Sequence, residues 1–381
     1  MESRAGELIP EESVGVAPEI VEKALEQATG KLIDEIMKVR GLISDVRRAI
    51  ESRADLLRIW RAAEPEQLCY LSVDSGFTAP SIELVGGYLG IIIVATVLYG
   101  SRCGRSSVDS KLYAKLWFNE DLTEGVAKYY ERLTARRLLE EKRKGRLGFD
   151  VLLLDGEIVP RGFASRTAGG EDVLSRTVEV TGEVLRLADK TDTAIVGVLK
   201  RSYSRDIVNI LGFHELSLSD KAVLSLVLSP GEYLVAGNHI DIYNELLRLR
   251  GKPGVNRRWL ETRIRWYESL VNNMPEGYAV KLAFYRAHRT IYPTSTKIEY
   301  VTSDSLDEDK LISSLMHVSA GSGIPAPIDY ADVFSAVTRE LRQTAYQKLL
   351  AEVAKRASGE SRDILSLLSL MNPEKLMHII G

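Results

Sequence analysis

Two apolar runs in this chain each end in an aspartate followed by a glycine-containing turn: LCYLSVDSGF around Asp74 and DVLLLDGEIVPR around Asp155. Both runs have the length and density of buried strands, so the two carboxylates are expected at one edge of a sheet. A carboxylate carried there is costly unless it meets water, a cation or a hydrogen-bond donor. Two together suit a hard divalent ion held through oxygen. Taken singly, each aspartate also fits a turn, because aspartate bonds nearby backbone amides. The repeated pattern favours the metal.

Other side chains extend that chemistry. Lys200 and Arg201, with Arg205 close behind, follow another apolar run, TAIVGVLK, and would suit a phosphate. Glu131, Glu140 and Glu141 lie in a helical segment before Asp155 and also fit a solvated helix face. Asp329 and Asp332 fit the cap and third positions of a helix as well as they fit a metal. None of the five histidines forms a metal-spaced pair, which disfavours a zinc enzyme. No G-x-x-x-x-G-K-[ST] loop occurs, so ATP hydrolysis is not expected. Cys69 and Cys103 lack C-x-x-C spacing; a disulfide framework is not expected and a reducing, cytoplasmic setting is.

The elements that must position these residues can be read from periodicity. Residues 17–62 show apolar positions three and four apart and predict a long helix opening at Pro18. It packs on the core or on a second subunit, or contacts DNA through Lys38, Arg40, Arg47 and Arg48. Residues 68–100 predict three strands in an antiparallel meander, with turns at Gly76 and at Gly86 and Gly87. A helix over 121–143 follows, then the Asp155 strand. Strand, strand, strand, helix, strand is the order of an RNase H-like core, which carries metal-binding acids on its first strand, its helix and its fourth strand. Further on, a helix precedes the Lys200 strand, two strands pair around 277–303, and one long helix and a short terminal one close the chain.

Bulk properties agree. The 381 residues are 45% hydrophobic and 27% charged, which describes an ordinary globular protein, and the net charge of -3 leaves any nucleic acid to be held by local basic patches. The apolar stretch Leu84–Tyr99 is too short and glycine-rich for a membrane span, so no membrane is expected.

Four segments in order, SVDSGFTAP, LLLDGEIVPR, AIVGVLKRS and SGIPAPIDYADVFSAVT, resemble the motifs of the NurA family, nucleases that work with the HerA hexameric DNA translocase. The resemblance implies an α/β fold with an RNase H-like core, a mixed sheet flanked by helices, over residues 66–350. An N-terminal helical arm over 1–65 and C-terminal helices over 351–381 complete that division. It also implies manganese- or magnesium-dependent cutting of DNA, of single-strand endonuclease and 5'-3' exonuclease type, in end resection and double-strand break repair. The implied partners are DNA, a HerA-type ATPase and a second copy of the chain in a homodimer.

Carried over by position, the resemblance makes Asp74 the first catalytic acid, Glu131 the helix acid, Asp155 the second-motif acid, Lys200 the third-motif base and Asp332 the last-motif ligand. Asp74, Glu131, Asp155 and Asp332 would hold two divalent ions about 4 Å apart, with Lys200 offsetting charge on the phosphorus. Two positions depart from the family pattern: Ile324 stands where tyrosine is usual and Asp332 where histidine is usual. The first motif also reads Asp-Ser-Gly where Asp-Gly-Ser is usual. These departures leave open a catalytically impaired adaptor that binds HerA or DNA without cutting. Without the resemblance, a phosphodiesterase or phosphatase acting on small phosphate esters fits the same carboxylates.

Overall fold

A computed structural model describes residues 18–84, 86–118, 120–161, 172–319 and 321–357. The expected short terminal helix lies outside these residues. In chain order the elements are α1 (Pro18–Ser52), β1 (Leu57–Arg61), β2 (Tyr70–Phe77), β3 (Ile82–Leu84), β4 (Gly87–Tyr99), β5 (Ser107–Trp117), α2 (Thr123–Arg143), β6 (Val151–Asp155), α3 (Val173–Lys190) and β7 (Ala194–Leu199). They continue with α4 (Asp206–Ile210), α5 (Asp220–Val227), β8 (Glu232–Asn238), α6 (His239–Arg248), α7 (Arg257–Asn273), β9 (Lys281–Tyr285), β10 (Thr296–Val301), α8 (Glu308–Val318), α9 (Ala326–Ser335) and α10 (Arg339–Ala357).

The ten strands form one sheet in the order β1-β8-β9-β10-β7-β6-β2-β4-β3, with β5 also pairing β4. Only the β2–β6 and β6–β7 pairs are parallel. These strands read as near-continuous apolar runs because both faces are covered. Leu71, Val73, Leu152 and Leu154 meet Ala127, Ala135 and Leu139 of α2 on one face. Tyr70, Val151 and Leu153 meet Leu311, Leu315 and Ile328 of α8 and α9 on the other. The alternation of strand side chains therefore decides which helix each functional residue faces. An α/β fold with a mixed, RNase H-like sheet is the architecture expected.

Four details differ from the sequence reading. The first helix stops at Ser52, and LRIWR forms strand β1, antiparallel to β8 with Leu57 buried. The helical period ran on into it because a five-residue edge strand is too short to impose its own. The meander is β2, β4 and β5, whereas Ile82–Leu84 is a three-residue strip along β4. β5 is exposed along most of its length, so it lacks the buried-strand pattern that marks its neighbours. The long closing helix is broken at residues 336–338 into α9 and α10, where Ala336 turns to an extended ψ of 123°. Finally, Cys69 and Cys103 form a disulfide with Cα atoms 4.8 Å apart. Antiparallel pairing of Tyr70 with Tyr99 brings the start of β2 to the turn after β4, a proximity that the 34-residue separation conceals.

Candidate active site

Val73 of β2 stands opposite Leu154 of β6, so Asp74 and Asp155 are the next residues along two adjacent parallel strands. Both follow the alternation onto the face covered by α9. That helix adds Asp332, and carboxylate oxygens of Asp74, Asp155 and Asp332 all lie within 4.8 Å of one another. The three differ in depth: Asp74 is buried at 4% exposure, Asp155 is intermediate, and the Asp332 side chain is 60% exposed. The cluster therefore opens to solvent at Asp332.

Close approach of α9 depends on Gly76. A Cβ there would lie 2.0 Å from the Ser335 carbonyl oxygen, so only glycine lets the end of α9 rest on β2. Ser335 then donates its hydroxyl to Asp74 Oδ2 at 2.7 Å, while the Ser75 amide donates to Oδ1 at 2.7 Å. After Asp155 the chain turns at Gly156 with φ of 94°, a conformation that favours glycine. Asp332 lies in the second turn of α9, well beyond its Pro325 N-cap, and so does not cap that helix.

Lys200 emerges from β7 and places its ammonium 3.2 Å from Asp155 Oδ2 and 2.9 Å from Asp332 Oδ2. Its backbone carbonyl accepts from Lys221 Nζ at 2.9 Å. A cation thus already sits against two of the three carboxylates. Three oxygen donors converging from three elements also fit a hard divalent ion, which takes carboxylate ligands.

Glu131 comes from the opposite face, on α2, where it is fully buried on the stripe of Ala127, Ala135 and Leu139. It is not one of the three converging carboxylates. Its oxygens accept from Ser75 Oγ at 3.0 Å, Lys128 Nζ at 3.1 Å and an Arg132 nitrogen at 2.6 Å. The same two cations bind the turn after β6: Lys128 donates to the Asp155 carbonyl at 2.6 Å and Arg132 donates to that of Glu157. Glu140 and Glu141, the other candidates, pair with Arg136 and with Lys144 and Arg146 nearer the surface. Sequence reasoning missed Lys128, Ser75 and Ser335. The signal for the first was a lysine one helical turn before an acid on an apolar stripe.

Electrostatics follow from this crowding. Burial, then the charges of Asp155 and Glu131, push the Asp74 carboxyl up to about 7 against the pull of Ser335 and Lys200. Burial also raises Asp155, opposed chiefly by Lys200 and Lys128. Burial works against the Lys200 charge, yet Asp155 and Asp332 hold it above the ordinary lysine value. On α1, three of the four basic residues that would suit DNA are engaged within the fold: Lys38 donates to the Glu215 carbonyl, Arg47 grips Glu232 and Arg48 pairs with Asp45. The second half of α1 packs on the core through Val39, Val46 and Ile50, whereas Ile20, Leu25, Leu32 and Ile33 in its first half are exposed. Among the described residues no helix is long and apolar enough to cross a membrane.

Comparison with known proteins places the chain. Residues 70–337 match the model of the NurA domain. No curated protein matches. The crystal structure of the NurA nuclease from Sulfolobus solfataricus has the same fold, with a TM-score of 0.51 at 11% identity over 87% of this chain and 99% of that chain. A crystal structure of NurA with manganese aligns at TM-score 0.48 and 14% identity over 86% of this chain and 98% of that one. A further NurA crystal structure aligns at 0.49 and 15% over 90% and 99%. With a domain match over most of its length, and with a fold shared with the Sulfolobus nuclease, the chain belongs to the NurA family of nucleases.

Proposed function

We propose that this protein is a divalent-metal-dependent DNA nuclease acting with a HerA-type translocase, as a homodimer, in the resection of DNA ends. The observation that carries the reading is the convergence of Asp74, Asp155 and Asp332, from two strands and a helix, on one point. Three like charges brought together repel one another unless a cation offsets them, and the exposure of Asp332 leaves the cluster open to an ion from solvent.

Asp74, Asp155 and Asp332 would hold manganese or magnesium, for which oxygen donors with open positions are suited. Bound there, the ion supplies a Lewis acid that polarises a phosphoryl oxygen and makes water a nucleophile near neutral pH. Lys200 sits where it would offset charge developing on the phosphate. Glu131, as the fourth carboxylate, fixes the turn after Asp155 through Lys128 and Arg132. Ser335 orients Asp74 and holds it toward its charged form.

The test is labelled single- and double-stranded DNA incubated with manganese, magnesium or chelator, with and without a HerA-type ATPase. Cutting that needs the ion and is stimulated by the ATPase supports the reading. Binding of DNA or the ATPase with no cutting in manganese points to the adaptor, and cleavage confined to small phosphate esters would overturn a role on DNA.

A further inference from the structure

Among the described residues, strand β5 is a long edge that the fold leaves uncovered. It runs eleven residues, Ser107–Trp117, pairs with β4 on one side, and has no strand on the other among the described residues. Natural edge strands are usually short, bulged or covered. This one shows no register shift along β4 and carries Val108, Leu112 and Leu116 on a single face, at 45%, 55% and 46% exposure. That stripe continues onto α9, where Ser110 Oγ donates to the carbonyl of Phe334, itself 47% exposed beside Val333 at 70%.

We propose that β5 pairs antiparallel with β5 of a second copy of this chain, about a two-fold axis at Leu112, joining the two sheets. The sequence SVDSKLYAKLW is complementary to itself in that register. Leu112 is the central residue, so every position of the strand finds a partner. Val108 then faces Leu116 of the second copy, and Leu112 faces its own equivalent. On the other face both copies set Asp109 against Lys115, and Lys111 against Tyr113. Directly opposed residues in an antiparallel pair lie on one face, where opposite charges attract and like charges repel. Shifting the axis by one residue in either direction loses this match: centred at Lys111, two lysines meet, and centred at Tyr113, Lys111 meets Lys115. An isologous contact of this kind closes the dimer and removes both edges at once.

The homodimer belongs to the reading above; the surface assigned to it is new and independent of whether the protein cuts DNA. The experiment is sedimentation equilibrium of the full chain across micromolar concentrations, with exposed-site variants and circular dichroism to monitor the fold. Wild type is expected to dimerise, and Asp109→Lys to weaken dimerisation about tenfold or more by setting lysine against lysine. Asp109→Lys combined with Lys115→Asp should restore it, and Leu112→Lys should abolish it. A folded wild-type monomer at all concentrations would overturn the proposal. So would a dimer indifferent to these variants, which would place the contact elsewhere, such as the exposed half of α1. Loss of cutting with the dimer intact would instead count against the nuclease reading alone.

Discussion

The Ser335 hydroxyl donates to Asp74 Oδ2 at 2.7 Å, tying the last residue of α9 to the middle of β2 across 261 residues of chain. The bond locks the helix that carries Asp332 to the strand that carries Asp74. It also supplies one of the two hydrogen bonds that the buried Asp74 carboxylate accepts among the described residues.

Ser335→Ala should therefore act on both. Removing a donor from a buried charged acceptor costs about 1–3 kcal/mol. The variant should melt earlier, and its activity should fall most at neutral pH and recover toward alkaline pH, because Asp74 ionises less readily. A pH–rate profile superimposable on that of the wild type would separate Ser335 from the site.

Asp74 makes the metal-free protein sensitive to pH. Its carboxyl is raised from 3.8 to about 7 in the folded state, chiefly by burial. The folded form therefore keeps a proton that the unfolded form loses. The stabilisation is complete below the unfolded value and is lost as pH rises through about 7, amounting to a few kcal/mol at most. In chelator, wild type should lose stability between about pH 4 and 7 relative to Asp74→Asn, and manganese should bind more tightly as pH rises across that window. Melting curves in EDTA, with and without the substitution, test the sign.

Lys200 offers a split readout. Its ammonium lies between Asp155 and Asp332, so it both competes for the ion's position and offsets phosphate charge. Lys200→Met should lower the cleavage rate by about 10²–10³-fold, while manganese binds at least as tightly as to wild type. Weaker metal binding in this variant would contradict the placement.

The disulfide should matter to stability and not to chemistry, since Cys69 precedes β2 and Asp74 lies beyond that strand's midpoint. Closing a loop of 34 residues is worth roughly 4 kcal/mol by chain entropy. Cys69→Ser with Cys103→Ser should show that loss in denaturant titration, with the cleavage rate at room temperature kept.

The parts legible in the sequence were those that bury apolar surface. β2, β6 and β7 announce themselves because both faces are covered, and the acids at two of their ends stand out as polar interruptions. Glu131 is named in the sequence through the family resemblance, although its place on the stripe of Ala127, Ala135 and Leu139 is the stronger physical signal. β5 was invisible because an exposed strand lacks alternation between core and solvent. The break between α9 and α10 was equally hidden: it falls where the Ser335 carbonyl rests on Gly76, a contact between distant segments. The same is true of Cys69 and Cys103, and of Lys128 and Arg132, whose second partners lie in the turn after β6. Lys200 could be named as basic, but its two carboxylate partners come from β6 and α9 and needed the folded chain.

In the reading proposed above, Asp74, Asp155 and Asp332 together hold the ion on which cutting depends. This is tested most directly by titrating manganese into wild type, Asp74→Ala, Asp155→Ala and Asp332→Asn by calorimetry, with DNA cleavage measured on the same preparations. Wild type should bind and cut, and Asp74→Ala and Asp155→Ala should do neither while remaining folded. Asp332→Asn should lose affinity and rate by orders of magnitude with little change in melting, and Asp332→His should retain both. Manganese bound with wild-type affinity by all three variants, or cutting at the wild-type rate by any of them, would contradict the account.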